Sequence, residues 1–311
     1  MPAKKKYPWL IVIILIMTTF AVTGCGNSKT TTAGETSKKE NAPKEIRVVD
    51  FRGKEVFLQS PAKRIACMLD SALTGLHMLG IKDEVVALDK WTYENDGYIY
   101  TAKLDERVSR KELPAVTGNI EKLVALKPDI VIIWSGHEDI KQLEEHGLKV
   151  YGVQINKFED IYKEMEDLGK LTGREDRARE LITYTRNELS QIADRLTKIS
   201  EDQKPGAMFV WGPTKLDIAG GNSTGNDILI KAGAKNVAVN VNKEHLVAGM
   251  EQVVNWNPAA VIMWNNKKIE PNDYFNDQQW KTIKAVQDRK VYMLPNFFYC
   301  DLWTLKYQYA I

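Results

Sequence analysis

Two stretches of this chain carry the same fifteen-residue phrase. Residues 120–134 read IEKLVALKPDIVIIW and residues 250–264 read MEQVVNWNPAAVIMW, with Glu, Val, Pro, Val, Ile and Trp at six matching offsets. A single repetition at this distance does not suit a solenoid, which stacks several short units. It predicts two lobes of similar architecture. Each copy opens with a short apolar helix pattern that Pro128 or Pro258 ends. The β-branched run that follows, DIVIIW or AAVIMW, reads as a buried strand. In an α/β unit the helix runs antiparallel to its flanking strands. Glu121 and Trp134 are therefore expected together at the carboxyl edge of one sheet, and Glu251 and Trp264 at that of the other. Open α/β sheets place their ligand crevice at this edge. A glutamate also suits a helix first turn on its own, through the macrodipole; its recurrence with the same strand and terminal Trp points to a shared role.

The start of the chain follows signal-peptide grammar. Lys4, Lys5 and Lys6 precede an apolar stretch at 9–22 that is short for a permanent span, and Val22-Thr23-Gly24-Cys25 places small residues before a cysteine. This ending resembles a bacterial lipobox. Residues 1–24 are expected to be a lipoprotein signal peptide, with Cys25 the lipidated residue that anchors a soluble domain to the membrane. Residues 25–44, rich in Ser, Thr, Gly and Lys, cannot build a core and read as a flexible tether. Export allows a disulfide between Cys67 and Cys300, but the two fall in different expected lobes, and two unpaired thiols are the better reading. Without the three leader lysines the chain holds 40 basic and 41 acidic side chains. That balance offers no basic face for nucleic acid.

The folded part divides into an N-terminal α/β lobe at 45–173, a connecting helix at 174–203 and a C-terminal α/β lobe at 204–311. Residues 174–200 contain no Pro or Gly, and Leu181, Ile182, Leu189, Ile192 and Leu196 keep helical spacing. Residues 91–113 are polar and aromatic without clear period, and read as an excursion near the cleft. Residues 303–311 look like the start of an amphipathic helix, and the C-terminal lobe is expected to lack its final helix. The expected fold is α/β: two Rossmann-like lobes joined by one long helix, with a ligand cleft between them.

These features together resemble the substrate-binding lipoproteins of bacterial ABC importers for iron–siderophores, haem and cobalamin. The resemblance is carried by Gly118-Asn119-Ile120-Glu121 with Leu126-Lys127-Pro128-Asp129, by Glu251 with Asn257-Pro258, and by Gly220-Gly221-Asn222 followed by residues 229–237, LIKAGAKNV. It implies an extracytoplasmic, lipid-anchored monomer that binds a small metal chelate containing iron or cobalt. It implies ABC permease subunits with their ATPase as partners, and neither catalysis nor a resident cofactor. It also implies that Glu121 and Glu251 dock against the permease, where charge complementarity sets registration and on-rate.

Cleft candidates are residues at strand carboxyl ends and in the loops that follow. In the first lobe they are Met68, Asp70, Trp91, Tyr93, Trp134 and His137; in the second, Trp211, Asn222, Trp264, Tyr299 and Trp303. Aromatic walls with a few polar groups suit a large, flat chelate, although ordinary packing explains any one Trp equally well. His137 follows Ser135-Gly136 and could ligate a metal, while His77, His146 and His245 read as helix, helix end and polar loop. No spacing gathers three His and a carboxylate, which disfavours a bare-metal site. Arg107 and Arg110 could pair an anionic ligand or oxyanion, but a solvated charged loop is the simpler reading. Cys67 and Cys300 could offer soft ligation, with packing the better reading. An exported α/β enzyme is the alternative of another class; H-E-x-x-H is missing from the sequence, and the glycine-rich residues 220–225, GGNSTG, lack the Gly-Lys-Ser/Thr ending of a phosphate-binding loop.

Overall fold

The folded chain opens on a hairpin. Strand β1 (Ile46–Val49) pairs antiparallel with β2 (Glu55–Leu58), with Ile46 opposite Leu58. Gly53 turns it at φ 78°, and the Asp50 carboxylate accepts from the Arg52 and Lys54 amides at 2.9 and 3.0 Å. The computed structural model describes residues 45–95, 98–265, 268–296 and 300–311. The expected signal peptide, Cys25, the tether and Tyr299 lie outside the described residues.

Next come β3 (Ile65–Cys67), α1 (Asp70–Met78), β4 (Val85–Leu88), α2 (Trp91–Glu94), α3 (Tyr98–Leu104), α4 (Glu106–Ser109), α5 (Ile120–Ala125), β5 (Ile130–Trp134), α6 (Ile140–Glu145) and β6 (Val150–Val153). Their four strands form a wholly parallel sheet in the order β4-β3-β5-β6. Strands covered on both faces read as continuous apolar runs, and Ile130, Val131, Ile132 and Ile133 are all buried. Residues 91–113, expected to lack regular structure, form three short helices instead. Their periods are too brief to read, but a side chain caps α4: Asp105 accepts from the Arg107 amide at 3.0 Å.

The amphipathic α7 (Phe158–Thr172) ends at Gly173, whose φ of 68° closes the helix in the left-handed region. Then α8 (Glu175–Leu196) runs 22 residues and leads through a 3-10 turn at Glu201–Gln203 to the second sheet. That half contains β7 (Gly206–Val210), β8 (Asp217–Ala219), α9 (Thr224–Lys231), β9 (Lys235–Asn236), β10 (His245–Val247), α10 (Met250–Trp256), β11 (Ala260–Met263), α11 (Pro271–Phe275), α12 (Lys284–Gln287) and β12 (Val291–Met293). Strands β7, β11 and β12 are parallel, β9 pairs parallel with the start of β7, and β8 pairs antiparallel with both β7 and β10. The order is β10-β8-β7-β11-β12. The molecule is thus two α/β lobes joined by one long helix, the second with a mixed sheet. His245, read as loop, opens β10; a three-residue strand in polar sequence carries no alternation to betray it.

The repeated phrase folds alike in both lobes. Helices α5 and α10 each give way to a residue of positive φ before proline, Lys127 at 47° and Asn257 at 41°. Proline disfavours the α region for the residue before it, so each helix must end there. The next strand then enters its sheet in the same way: the Asp129 amide donates to the Arg64 carbonyl, and the Ala259 amide to that of Gly206, both at 2.8 Å.

One apolar cluster joins the halves. It holds Phe158, Tyr162 and Leu168 of α7, Phe209 of β7, Ile228 and Leu229 of α9, and Leu302, Leu305 and Tyr307 of the terminal segment. Tyr307 stacks on Phe158 with ring centroids 3.4 Å apart, and its hydroxyl lies 2.6 Å from that of Tyr162. The Phe158 amide donates to Asp227 at 3.0 Å across the same junction. The expected α-helix start at 303–311 is a 3-10 helix at Leu305–Ala310, capped by Thr304.

Candidate functional site

Topology locates the site better than volume does. In the first sheet the chain goes from β3 to β4 on one side, then crosses to β5 on the other. In the second it leaves β7 for the β8 side and returns at β11. Each lobe therefore has a topological switch point, where open α/β sheets bind ligands beyond the strand carboxyl ends. Met68 and Asp70 follow β3, and Trp134 and His137 end or follow β5. Trp211 and Trp264 immediately follow β7 and β11, and the Trp264 amide donates to the Val210 carbonyl at 2.7 Å. A concavity of about 540 Å³ is a groove along α8 beside Tyr162, Leu189, Leu196 and Ile230, away from both switch points.

At the first switch point, Met68, Asp89, Thr117, Gly118, His137 and Asp139 enclose a crevice of about 10 Å³. Met68 is largely buried and borders it. The Asp139 amide donates to His137 Nδ1 at 3.2 Å, which makes that nitrogen an acceptor. Asp70, half-buried, opens α1 and accepts from Thr92 Oγ1 at 2.5 Å and from the Asn95 amide group. Burial pushes its carboxyl upward, partly offset by the Thr92 hydrogen bond, with Asp89 adding repulsion. Trp91 is 62% exposed and Trp134 50% exposed. Trp134 is braced: its Nε1 donates to Gln154 at 2.9 Å, and its ring lies where a Cβ on residue 136 would stand, so glycine is required there. Gln154 was not legible in the sequence because it meets Trp134 only through the β5–β6 pairing. Tyr93 faces inward and donates to the Leu113 carbonyl at 2.7 Å.

At the second switch point, Trp211 stacks on His245 with centroids 3.6 Å apart and planes at 25°. Trp264 is half-buried against the shared core. Trp303 is exposed, and its amide donates to Asp301 at 3.0 Å. Asn222 is exposed beyond a close backbone crossing, where the Gly221 amide donates to Val241 and the Asn222 amide to Lys243. A methyl on Gly221 would strike the Val239 carbonyl, and one on Gly220 that of Lys243. Gly221→Ala is expected to destabilise the protein by about 3 kcal/mol through overpacking. Urea unfolding measures this, and an unchanged midpoint would show that the loop yields.

The other candidates separate from the site. Arg107 pairs with Asp105 and donates to the carbonyls of Lys82, Asp83 and Val85, which lie where β4 begins, at the opposite edge of the sheet. Arg110 pairs with Glu106. Burial raises the Cys67 thiol and pushes the Cys300 thiol up to about 11, so both buried, unpaired cysteines stay protonated rather than offering thiolates. Burial lowers His77 to about 4. Among the described residues, no group of three or more His, Cys, Asp or Glu side chains could hold a metal ion. Glu121 and Glu251 occupy the first turns of α5 and α10, exposed and without a side-chain partner among the described residues.

Comparison with known proteins gives these features a family. The chain is 25% identical to the ABC transporter substrate-binding lipoprotein YvrC of Bacillus subtilis, over 89% of its own length and 87% of the relative's. It is 24% identical to an iron-uptake system-binding protein of the same organism, over 93% and 90%. Molybdate-binding protein MolA of Haemophilus influenzae is 25% identical over 82% and 76%. The crystal structure of MolA bound to molybdate superposes with a TM-score of 0.72, at 21% identity, covering 85% of this chain and 87% of that one. These relatives are solute-binding transport proteins rather than enzymes. With residues 65–296 matching its family model across both switch points and the connecting helix, this chain belongs to the periplasmic binding protein family.

Proposed function

We propose that the chain is a lipid-anchored, monomeric binding protein that captures a metal chelate, an iron–siderophore or a related haem or corrinoid, and delivers it to an ABC permease with its ATPase. One observation carries the chelate reading: Trp134, Trp211 and Trp264 stand at strand ends flanking the two switch points, with Trp91 and Trp303 exposed nearby. Aromatic walls of this kind bury flat, partly apolar ligands. An oxyanion needs dense hydrogen-bond donors or cations, and Arg107 and Arg110 are engaged elsewhere. One relative is named for molybdate and another for iron uptake, so the side chains must decide. Asp70, Asn222 and His137 would contribute polar contacts, with Met68 as an apolar one. The lobe boundaries at 173 and 204, and lipidation at Cys25, belong to the same proposal.

Glu121 and Glu251 are the docking points in this account. Both are exposed and, among the described residues, unpartnered, one at the carboxyl edge of each sheet. A surface carboxylate held on a helix first turn is available to an arginine of a partner. The ligand class is tested by titrating the purified protein with ferric hydroxamate, ferric catecholate, haem, cobalamin and molybdate while following tryptophan fluorescence. Saturable quenching by a chelate or corrinoid is expected. Binding of molybdate alone, or none by any chelate, would overturn the chelate assignment.

A further inference from the structure

We propose that His245 is a positioning residue for the solute: it backs one face of Trp211 and fixes the indole so that its other face receives a planar, conjugated part of the ligand. The inference rests on the cleft reading above and specifies the ligand chemistry at one wall. The sequence places the two residues 34 positions apart, in β10 and just past β7. The sheet brings them onto one face, because β8 lies between their strands: Val210 pairs with Ile218, and Ala219 with His245. Their rings are 3.6 Å apart and 25° from parallel, a stack rather than an edge contact.

The polar edges of the imidazole support this role. Nε2 lies 3.2 Å from the Glu244 carboxylate, a second contact that holds the ring. Nδ1 is enclosed and has no hydrogen-bond partner among the described residues. An enclosed polar atom without a partner is unfavourable, so this position is not optimised for hydrogen bonding. What the ring supplies is a flat surface against Trp211. The Trp211 side chain nevertheless stays open: the residue is 38% exposed beside the switch point. A stacked pair whose tryptophan remains 38% exposed matches a planar ring, such as an aryl group or a tetrapyrrole, better than a compact oxyanion.

Wild type, His245→Ala, His245→Phe and Trp211→Ala are titrated with the ferric complex of 2,3-dihydroxybenzoate, with haem and with molybdate, and near-ultraviolet circular dichroism checks that each variant is folded. The expected result is about fivefold weaker binding of a planar chelate by His245→Ala, the scale of one aromatic stack. Recovery to within about twofold by His245→Phe and a loss at least as large in Trp211→Ala are expected alongside. Unchanged affinity in His245→Ala with a loss in Trp211→Ala would overturn the positioning role and leave the cleft reading standing. Unchanged affinity in Trp211→Ala would overturn the placement of ligand on that ring. Binding of molybdate alone by wild type would overturn the cleft reading itself.

Discussion

Replacing Glu164 by Gln is expected to stabilise the protein on the order of 3 kcal/mol at pH 8 and to change little at pH 4.5. Glu164 lies on α7, is 4% exposed, and its Oε1 has no hydrogen-bond partner among the described residues. Burial pushes its carboxyl up to about 8; the Asp301 and Asp167 carboxylates raise it further, and Lys163 opposes them. The folded state therefore holds a proton that the unfolded chain releases near the ordinary glutamate value. A raised carboxyl contributes its stability fully below the unfolded value, and that contribution is lost as pH climbs towards 8. Gln has the same shape and stays neutral throughout, so it removes this pH dependence. Asp301, itself pushed up to about 6 chiefly by burial, adds a similar slope at lower pH. Urea unfolding of both proteins at pH 4.5, 6 and 8 measures the difference. Parallel stability curves would show that Glu164 is ionised in the folded protein.

Periodicity made the regular framework legible. The buried run of β5, the amphipathic α7 and the proline-terminated helices of the repeat all appear where their residues demand, because each depends on local chemistry. The repeat was the strongest signal, since the same backbone solution recurs at Lys127 and Asn257. Long-range side-chain contacts were not legible. Gln154 reaches Trp134 only through strand pairing, and His245 reaches Trp211 only across β8. The stack of Tyr307 on Phe158 spans nearly half the chain. Arg107 looked available to a ligand because nothing in the sequence reports that three backbone carbonyls at the far edge of the sheet accept from it. Short polar elements such as α2, α4 and β10 were missed for a related reason: three or four residues hold too little period to distinguish helix, strand and loop.

The second large effect concerns delivery. Glu121 and Glu251 arise from the same position of the repeated phrase, and each lobe presents one exposed carboxylate at its carboxyl edge. Neither side chain supports the fold through a partner among the described residues, so Ala at both positions is expected to leave stability and the Trp-lined cleft unchanged. Two separated charges would orient the binding protein over a permease, and losing them removes registration at both ends at once. The direct measurement compares Glu121→Ala/Glu251→Ala with wild type, following chelate affinity of the purified protein and uptake of the radiolabelled chelate by cells. The account predicts wild-type affinity with uptake reduced by at least about tenfold. Full uptake with both carboxylates removed would contradict it.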